Sequence, residues 1–265
     1  MRRIGSPSMP FPLESFQQMQ GFFWVLMRVS ILFFLLPLFG EKGFPGIWKV
    51  GLSVVVAIVV TPVVPPPQNL PQTLLGIVTG LASEVLLGLG LGFVVKMAFA
   101  SVQLAGQFMA FQMGFAMAST VDPLTGTQNT DLSQFLYLFT LLIFFTIDGH
   151  HILLQALVAS FQMVPPNSLH LNPSLCGILA KASSQMFLIA LKIAAPIMIA
   201  LFLSNLCLGI VARTVPQVNI LMIGFPINIG LGLILFGLTL SVLPPLLTDL
   251  SNGIGETLLH MLRLM

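Results

Sequence analysis

The 25 residues from Met97 to Val121, MAFASVQLAGQFMAFQMGFAMASTV, contain no charged side chain. A helix of this length can cross a bilayer, because about 20 apolar residues span a hydrocarbon core of about 30 Å. The stretch differs from an ordinary lipid-facing helix because it is rich in Met, Phe, Gly and Gln, and it ends at Asp122-Pro123. It therefore predicts a membrane helix with a soft, partly polar surface.

The composition of the whole chain agrees with a membrane location. Charged residues make up 7% of its 265 residues and hydrophobic residues 56%, whereas soluble proteins contain about 25% charged residues. The net charge of +2 is too small to support binding to nucleic acid. We therefore predict an integral membrane protein in contact with lipid and without a nucleic-acid partner.

Six apolar segments, separated by short polar or proline-rich loops, leave no room for a soluble domain of about 50 residues. The fold class predicted is an all-α membrane protein, one structural unit over residues 1–265 with an N-terminal extension at 1–15. Pro196 and Pro226 lie inside helices, and Pro244-Pro245 is expected to end the sixth, since proline disrupts a helix. The predicted segments are Phe16–Phe39, Ile47–Val64, a run from Thr73 into the uncharged stretch, Asp131–Met163, Leu175–Ala212 and Gln217–Leu243.

Residues 249–265 have an amphipathic pattern. Such a pattern predicts a C-terminal helix that lies on the membrane surface or on a partner. The polar face comprises Asp249, Asn252, Glu256, His260 and Arg263, and the apolar face Leu250, Ile254, Leu258, Met261 and Leu262.

Four charged residues, Arg28, Glu84, Lys96 and Lys192, lie in or beside apolar stretches. A charge at the middle of a bilayer costs at least about 2.5 kcal/mol, so such residues normally face protein or water. The pattern indicates either a transport pathway or a subunit interface, and the residues alone do not separate the two.

Asp148-Gly149-His150-His151 is the stretch that comes nearest to a metal or proton site. Adjacent residues of a helix point about 100° apart, so the two histidines are expected to form a poor chelating pair. A polar cluster at a helix bend or at the membrane interface is the preferred interpretation. No nucleophile and base are paired by any motif. We therefore predict no catalytic, cofactor-binding or metal residues, no cofactor and no enzymatic activity.

When the end of the uncharged stretch is drawn as a helix, its side chains form two stripes, one of phenylalanines and one of methionines. Methionine is flexible and fills irregular gaps, so the segment suits a deformable seal, but the residues alone favour an ordinary methionine-rich core helix. Phe108, Phe111 and Phe115 form one stripe and Met109, Met113 and Met117 the other, with Gln112 between them. Gly114 weakens the helix by about 1 kcal/mol relative to Ala.

Four stretches of the chain are informative together: RVSILFFLLPLFG from Arg28, AGQFMAFQMGFAMASTVDP from Ala105, DGHH from Asp148 and ARTVPQVNILMIGFPINIGLGL from Ala212. They resemble the FliR family of flagellar export-gate proteins, which is related to a subunit of virulence-type injectisomes. The similarity runs from about Phe16 to Leu247. Its most specific positions are Pro216, Gln217, Asn219, Gly224, Phe225 and Pro226, followed by Gln112 to Phe115 with Asp122 and Pro123.

The resemblance implies a non-enzymatic subunit of the flagellar type III protein export gate. Its partners would be FliP-like and FliQ-like gate subunits, FlhB-like and FlhA-like export components, and unfolded flagellar protein cargo. The family's kinked helical hairpins stack in the basal body at the bacterial inner membrane, with much of the assembly on the periplasmic side.

The resemblance also places residues 105–123 as a pore plug that closes the gate until cargo arrives. The residues expected to form it are Phe108, Met109, Phe111, Gln112, Met113, Gly114, Phe115 and Met117.

Two other functions are compatible with the composition. An injectisome homologue would share the export chemistry, whereas a secondary transporter would carry broken helices around a site at the membrane midplane. A transporter of that kind usually consists of two corresponding halves, and no internal repeat pairs Pro37 with Pro196.

Overall fold

The computed structural model describes residues 16–36, 45–64, 73–115, 131–166, 168, 172–214 and 220–265. Several sequence predictions fall outside these residues. They concern the extension at 1–15, Met117, Asp122, Pro123, Pro216, Gln217 and Asn219.

The described residues form helices and short turns, with no strand among them, which confirms the all-α prediction. Within the described residues, four helices are long and apolar enough to cross a membrane, and the number of spans rises to five if a bent pair of helices is counted as one. The helices are α1 Phe16–Leu35, α2 Gly46–Val60 with a 3-10 turn at Thr61–Val63, α3 Leu74–Met113, α4 Asp131–Thr146, α5 Gly149–Met163, α6 Ser174–Thr214 and α7 Ile220–Arg263.

The apolar segment predicted over Asp131–Met163 consists of two helices, α4 and α5, which meet at a bend of 70°. A helix bend is one of the two expectations for the polar cluster at this position. Asp148 occupies the left-handed region there, with φ of 56°, a conformation that Asp tolerates better than most residues. A Cβ atom on Gly149 would overlap the Phe144 ring. The bend therefore depends on a glycine that the hydropathy of the segment does not reveal.

The expectation that Pro244-Pro245 ends the sixth helix is wrong, since α7 continues through both prolines to Arg263. A proline inside a helix costs about 3 kcal/mol. Leu243 and Leu247 lie on either side of the pair and are both buried, and burying a leucine contributes about 1.5–3 kcal/mol. Packing of the flanking residues therefore offsets the broken backbone hydrogen bonds.

The described residues divide into two compact units, and α3, α5, α6 and α7 each contribute residues to both. The first unit contains the described residues up to Phe93 together with Leu153–Leu175 and Thr257–Met265, and the second contains Val94–Ile152 and Cys176–Glu256. The second unit has a continuous apolar core built from α3, α4, α6 and α7. Its fully buried members include Val102, Met109, Met113, Leu136, Ile197 and Leu201.

Residues 249–265 are the last turns of α7 and not a separate surface helix. The five predicted polar residues are exposed, as the amphipathic pattern requires. Of the apolar face, Ile254, Leu258, Met261 and Leu262 are buried by the chain itself, and the Met261 side chain packs over Gly90. The apolar face is therefore covered by the protein's own helices, which corrects the expectation of a membrane-surface helix.

Candidate functional site

The segment predicted as a plug begins as the last turn of α3, which ends at Met113. Gly114 follows with φ of +93°, and its backbone N–H donates to the Phe111 carbonyl at 3.1 Å. Glycine is the residue that adopts this left-handed conformation without a steric cost, so it is common just after a helix end. The sequence QMGF therefore encodes a helix stop at a defined residue.

Met109 and Met113 both point into the core of the second unit and are completely buried. Met113 lies against Gly232 of α7, where a Cβ atom would come within 2.5 Å of Met113 Cγ and 3.0 Å of its Sδ. Gly106, one turn before Met109, lies similarly close to Ser133 of α4. Small residues thus let α3 approach both neighbouring helices closely.

The two most specific motifs of the sequence meet in space. A Cβ atom on Gly114 would lie 2.9 Å from Phe225 Cε1, so the Phe225 ring of the GFP motif covers the glycine that ends α3. Gly224 is buried and Pro226 is exposed. Residues more than 100 positions apart therefore form one contact, which the sequence alone did not indicate.

The predicted plug residues separate into inward and outward groups. The two methionines face inward, whereas Phe111 is 70% exposed. Phe108, Gln112, Gly114 and Phe115 are partly buried. Met109 and Met113 are therefore core residues of the second unit, and Phe111 is the predicted plug residue that offers a large apolar side chain to the outside.

A second polar site lies inside the first unit, around the guanidinium of Arg28. Its Nε and Nη2 atoms donate to the two carboxylate oxygens of Glu84 at 2.6 and 3.0 Å. Nη1 donates to Ser160 Oγ at 3.1 Å, and Nη2 also donates to the Val164 carbonyl at 3.1 Å. The guanidinium carbon lies 4.2 Å from the centre of the Phe161 ring. This bidentate pairing is the geometry in which an arginine–carboxylate interaction is strongest.

The interpretation of Arg28 and Glu84 as charges at a pathway or subunit interface is therefore corrected. Both side chains are fully buried within the first unit, where a charge is tolerated only when it is paired and hydrogen-bonded. The site is completed by three residues at and just beyond the C-terminal end of α5, Ser160, Phe161 and Val164, which the sequence analysis did not identify. The only sequence signal for them is their spacing along one helical face, which would allow all three to contact the same side chain, here Arg28.

Lys96 of α3 and Lys192 of α6 differ from that pair because both are exposed. Their assignment to a pathway or an interface stays a prediction.

At the bend between α4 and α5, Asp148, His150 and His151 converge. One ligand atom from each residue lies within 4.8 Å of the others, and the two imidazole centres are 4.3 Å apart. The expectation that adjacent histidines diverge fails here because they occupy the first turn after a sharp bend.

Comparison with known proteins identifies relatives along nearly the whole chain. The model of the family "Bacterial export proteins, family 1" matches residues 19–254. Three similar proteins are each called "Flagellar biosynthetic protein FliR". The protein from Bacillus subtilis (strain 168) is 34% identical, covering 92% of this chain and 95% of its own. The protein from Pectobacterium carotovorum subsp. carotovorum is 32% identical, and the match covers 91% of this chain and 92% of the relative. The protein from Escherichia coli (strain K12) is 31% identical, and the match covers 89% of this chain and 90% of the relative.

Proposed function

The chain belongs to family 1 of the bacterial export proteins, and from this premise we propose that it is a subunit of the flagellar type III protein export gate. The observation that carries the proposal is end-to-end similarity to flagellar biosynthetic proteins, at 34% identity over 92% of this chain for the Bacillus subtilis relative. The matched region includes both the helix stop at Gly114 and the GFP motif that covers it.

The lengths of the helices support a gate that extends beyond the membrane. α3, α6 and α7 contain 40, 41 and 44 residues. At about 1.5 Å per residue each is about 60 Å long, roughly twice the hydrocarbon thickness of about 30 Å. We propose that the chain is anchored in the bacterial inner membrane, within the flagellar basal body, with much of its mass on the periplasmic side.

The exposed apolar surfaces support assembly with other subunits. Along α6 and α7, side chains such as Phe202, Ile210, Met222 and Ile234 are exposed, and contiguous apolar surface of this kind marks contact with lipid or protein. FliP-like and FliQ-like subunits are the proposed neighbours, with FlhB-like and FlhA-like components nearby and unfolded flagellar proteins as cargo.

Removal of the gene from its host tests this function. An export-gate subunit is required for secretion of flagellar proteins, so the mutant should be non-motile and should release no flagellin into the medium. The tagged chain should restore both and should co-purify with other small membrane subunits. A mutant that still secretes flagellin, or a chain that transports a solute when reconstituted alone, would contradict the assignment and favour a transporter.

We further propose that the segment around Phe108–Phe115 closes the resting gate. A pore wide enough for a polypeptide must hold back ions, and apolar side chains at a constriction do this by excluding water. Phe111 is the exposed side chain suited to this task, while Met109 and Met113 support the segment from inside the second unit.

Phe111→Ala tests the plug with Leu142→Ala as its control, because both side chains are large, apolar and more than half exposed, and both belong to the second unit. Purified gates carrying Phe111→Ala should assemble normally and leak more ions across liposomes than unaltered gates. Leu142 lies in α4, outside the predicted plug and outside the surface of α6 and α7 proposed for assembly, so Leu142→Ala should leave the leak unchanged. Met113→Ala should instead lower recovery of the gate, since truncating a buried methionine costs about 2–5 kcal/mol. Assembled Phe111→Ala gates with an unchanged leak would refute the plug without affecting the assignment to the export gate.

A further inference from the structure

The bend between α4 and α5 carries a group of metal-ligating side chains outside the proposed plug. Asp148, His150 and His151 place one potential ligand atom each within 4.8 Å of the other two. Among the described residues, this is the only group of three or more His, Cys, Asp or Glu side chains with such a geometry.

The backbone of the bend explains why these side chains converge. Asp148 is left-handed at φ 56°, and the His151 backbone N–H donates to the Asp148 carbonyl at 2.9 Å. This tight turn returns the His151 ring to the aspartate, with His151 Nδ1 3.3 Å from Asp148 Oδ1. His150 Nε2 lies 4.0 Å from the same oxygen.

We propose that Asp148, His150 and His151 bind a divalent transition-metal ion of the Zn²⁺ type. Imidazole nitrogens and a carboxylate oxygen are ligands that such ions prefer, whereas Mg²⁺ and Ca²⁺ favour oxygen. Bonds of about 2.0–2.2 Å separate neighbouring ligand atoms by about 3.4 Å in a tetrahedral site. The His151–Asp148 distance already matches this value, and a small side-chain rotation brings His150 into range.

The surroundings of the three residues leave them available to a metal. The Asp148 and His151 side chains are 72% and 62% exposed, so both can rotate and an ion can enter from solvent. The nitrogen of His150 that faces the cluster is Nε2, which lies 4.0 Å from Asp148 Oδ1, whereas its Nδ1 is buried on the other side of the ring. Its ring is held by packing against Phe145, at 5.4 Å between ring centres, and against His151.

Binding would stiffen the junction of two helices. The ligands come from the turn itself and from the first turn of α5, while the His150 ring packs on Phe145 of α4. An ion held by all three would therefore restrict changes in the angle between α4 and α5. Because it binds only the folded form of the bend, it should also raise the stability of the chain.

Zn²⁺ titration of the full-length chain in detergent, purified without a polyhistidine tag, tests the site. We expect one high-affinity ion per chain and a higher melting temperature when Zn²⁺ is present. Asp148→Asn keeps a residue that tolerates left-handed backbone, and His151→Gln changes an exposed side chain. Each should weaken Zn²⁺ binding by at least about tenfold, since changing even a supporting residue of a metal site costs 10–100-fold.

His260→Gln is the matched control, because His260 is exposed in the last turns of α7 and lies outside the cluster. This variant should bind Zn²⁺ as the unaltered chain does. Absence of a stoichiometric ion in the unaltered chain would overturn the proposal. The proposal would also be overturned if Asp148→Asn and His151→Gln, shown to be folded by circular dichroism, bound Zn²⁺ with the same affinity as the unaltered chain.

Discussion

Among the described residues, Arg28 has the largest side chain that is fully buried. Its burial is possible because Glu84, Ser160 and the Val164 carbonyl accept hydrogen bonds from it, and Phe161 lies under the guanidinium. Removing two charges from water costs several kcal/mol per ion, and only good geometry with additional hydrogen bonds compensates. The pair therefore contributes mainly by joining α1, α3 and α5 in one arrangement.

Replacing one member of this pair should destabilise the chain strongly. Arg28→Met or Glu84→Leu leaves a buried charge without its partner, a change that costs about 3–5 kcal/mol. Combining Arg28→Met with Glu84→Leu removes both charges and should lose less stability than the sum of the two single replacements. Unfolding in detergent, followed by circular dichroism, measures the differences.

The control for that comparison is Arg263→Met, a charge removal at an exposed position near the end of α7. Surface replacements usually change stability by less than about 0.5 kcal/mol. If the two single replacements at Arg28 and Glu84 behaved like this control, or if the double replacement were fully additive, the coupling of the pair would be disproved.

At the scale of an element, α7 combines features that normally weaken helices. It contains three internal prolines and six glycines between Gly224 and Gly255. These glycines are not equivalent, because a Cβ atom would collide with Met113 at Gly232 but meets nothing within 4 Å at Gly230 or Gly237. The position of Gly232 is decided by packing against α3, whereas Gly237 lies on an open face.

Replacing Gly232 and replacing Gly237 by alanine should have opposite effects on the stability of the chain. Gly237→Ala should stabilise the isolated chain by up to about 1 kcal/mol, the difference in helix propensity between the two residues. Gly232→Ala should destabilise it by about 1–3 kcal/mol, as overpacking of a core does. Melting temperatures in detergent would record both shifts.

A second comparison identifies the cause of the Gly232 effect. If the collision with Met113 is responsible, Gly232→Ala should lose its destabilising effect when introduced into a Met113→Ala background. If Gly232→Ala lowered stability equally in the unaltered chain and in the Met113→Ala chain, the contact with Met113 would not be what excludes a side chain at Gly232.

At the scale of the whole molecule, the exposed apolar faces and the broken backbone of α7 indicate a chain that is completed by its surroundings. Pro226 has no N–H, so the Met222 carbonyl does not receive its usual helical hydrogen bond. Met222 is 78% exposed, and an unsatisfied carbonyl costs several kcal/mol when it faces lipid. Neighbouring protein is therefore expected to cover this part of the GFP motif in the gate.

Pro226→Leu should lower recovery of the assembled gate more than it lowers the amount of the chain itself. The replacement restores a regular helix and removes the break against which a neighbouring subunit is expected to dock. Pro245→Leu serves as the control, since Pro245 is also exposed inside α7 but lies outside the motif. Co-purification measures recovery, and equal yields for the two variants would argue against docking at Pro226.

The sequence by itself determined the all-α membrane class, the approximate helical segments and the relationship to the export family. Hydrophobicity, helix periodicity and short motifs are local properties, so one chain suffices to read them. Only the tertiary structure decided that Arg28 pairs with Glu84, that Gly114 lies under Phe225, and that Met113 faces the core while Phe111 faces outward. It also decided that α7 passes through Pro244-Pro245 and that the Asp131–Met163 segment bends at Gly149. These outcomes depend on contacts between residues far apart in the chain, whose packing energies outweigh the local preferences of proline, glycine and charged residues.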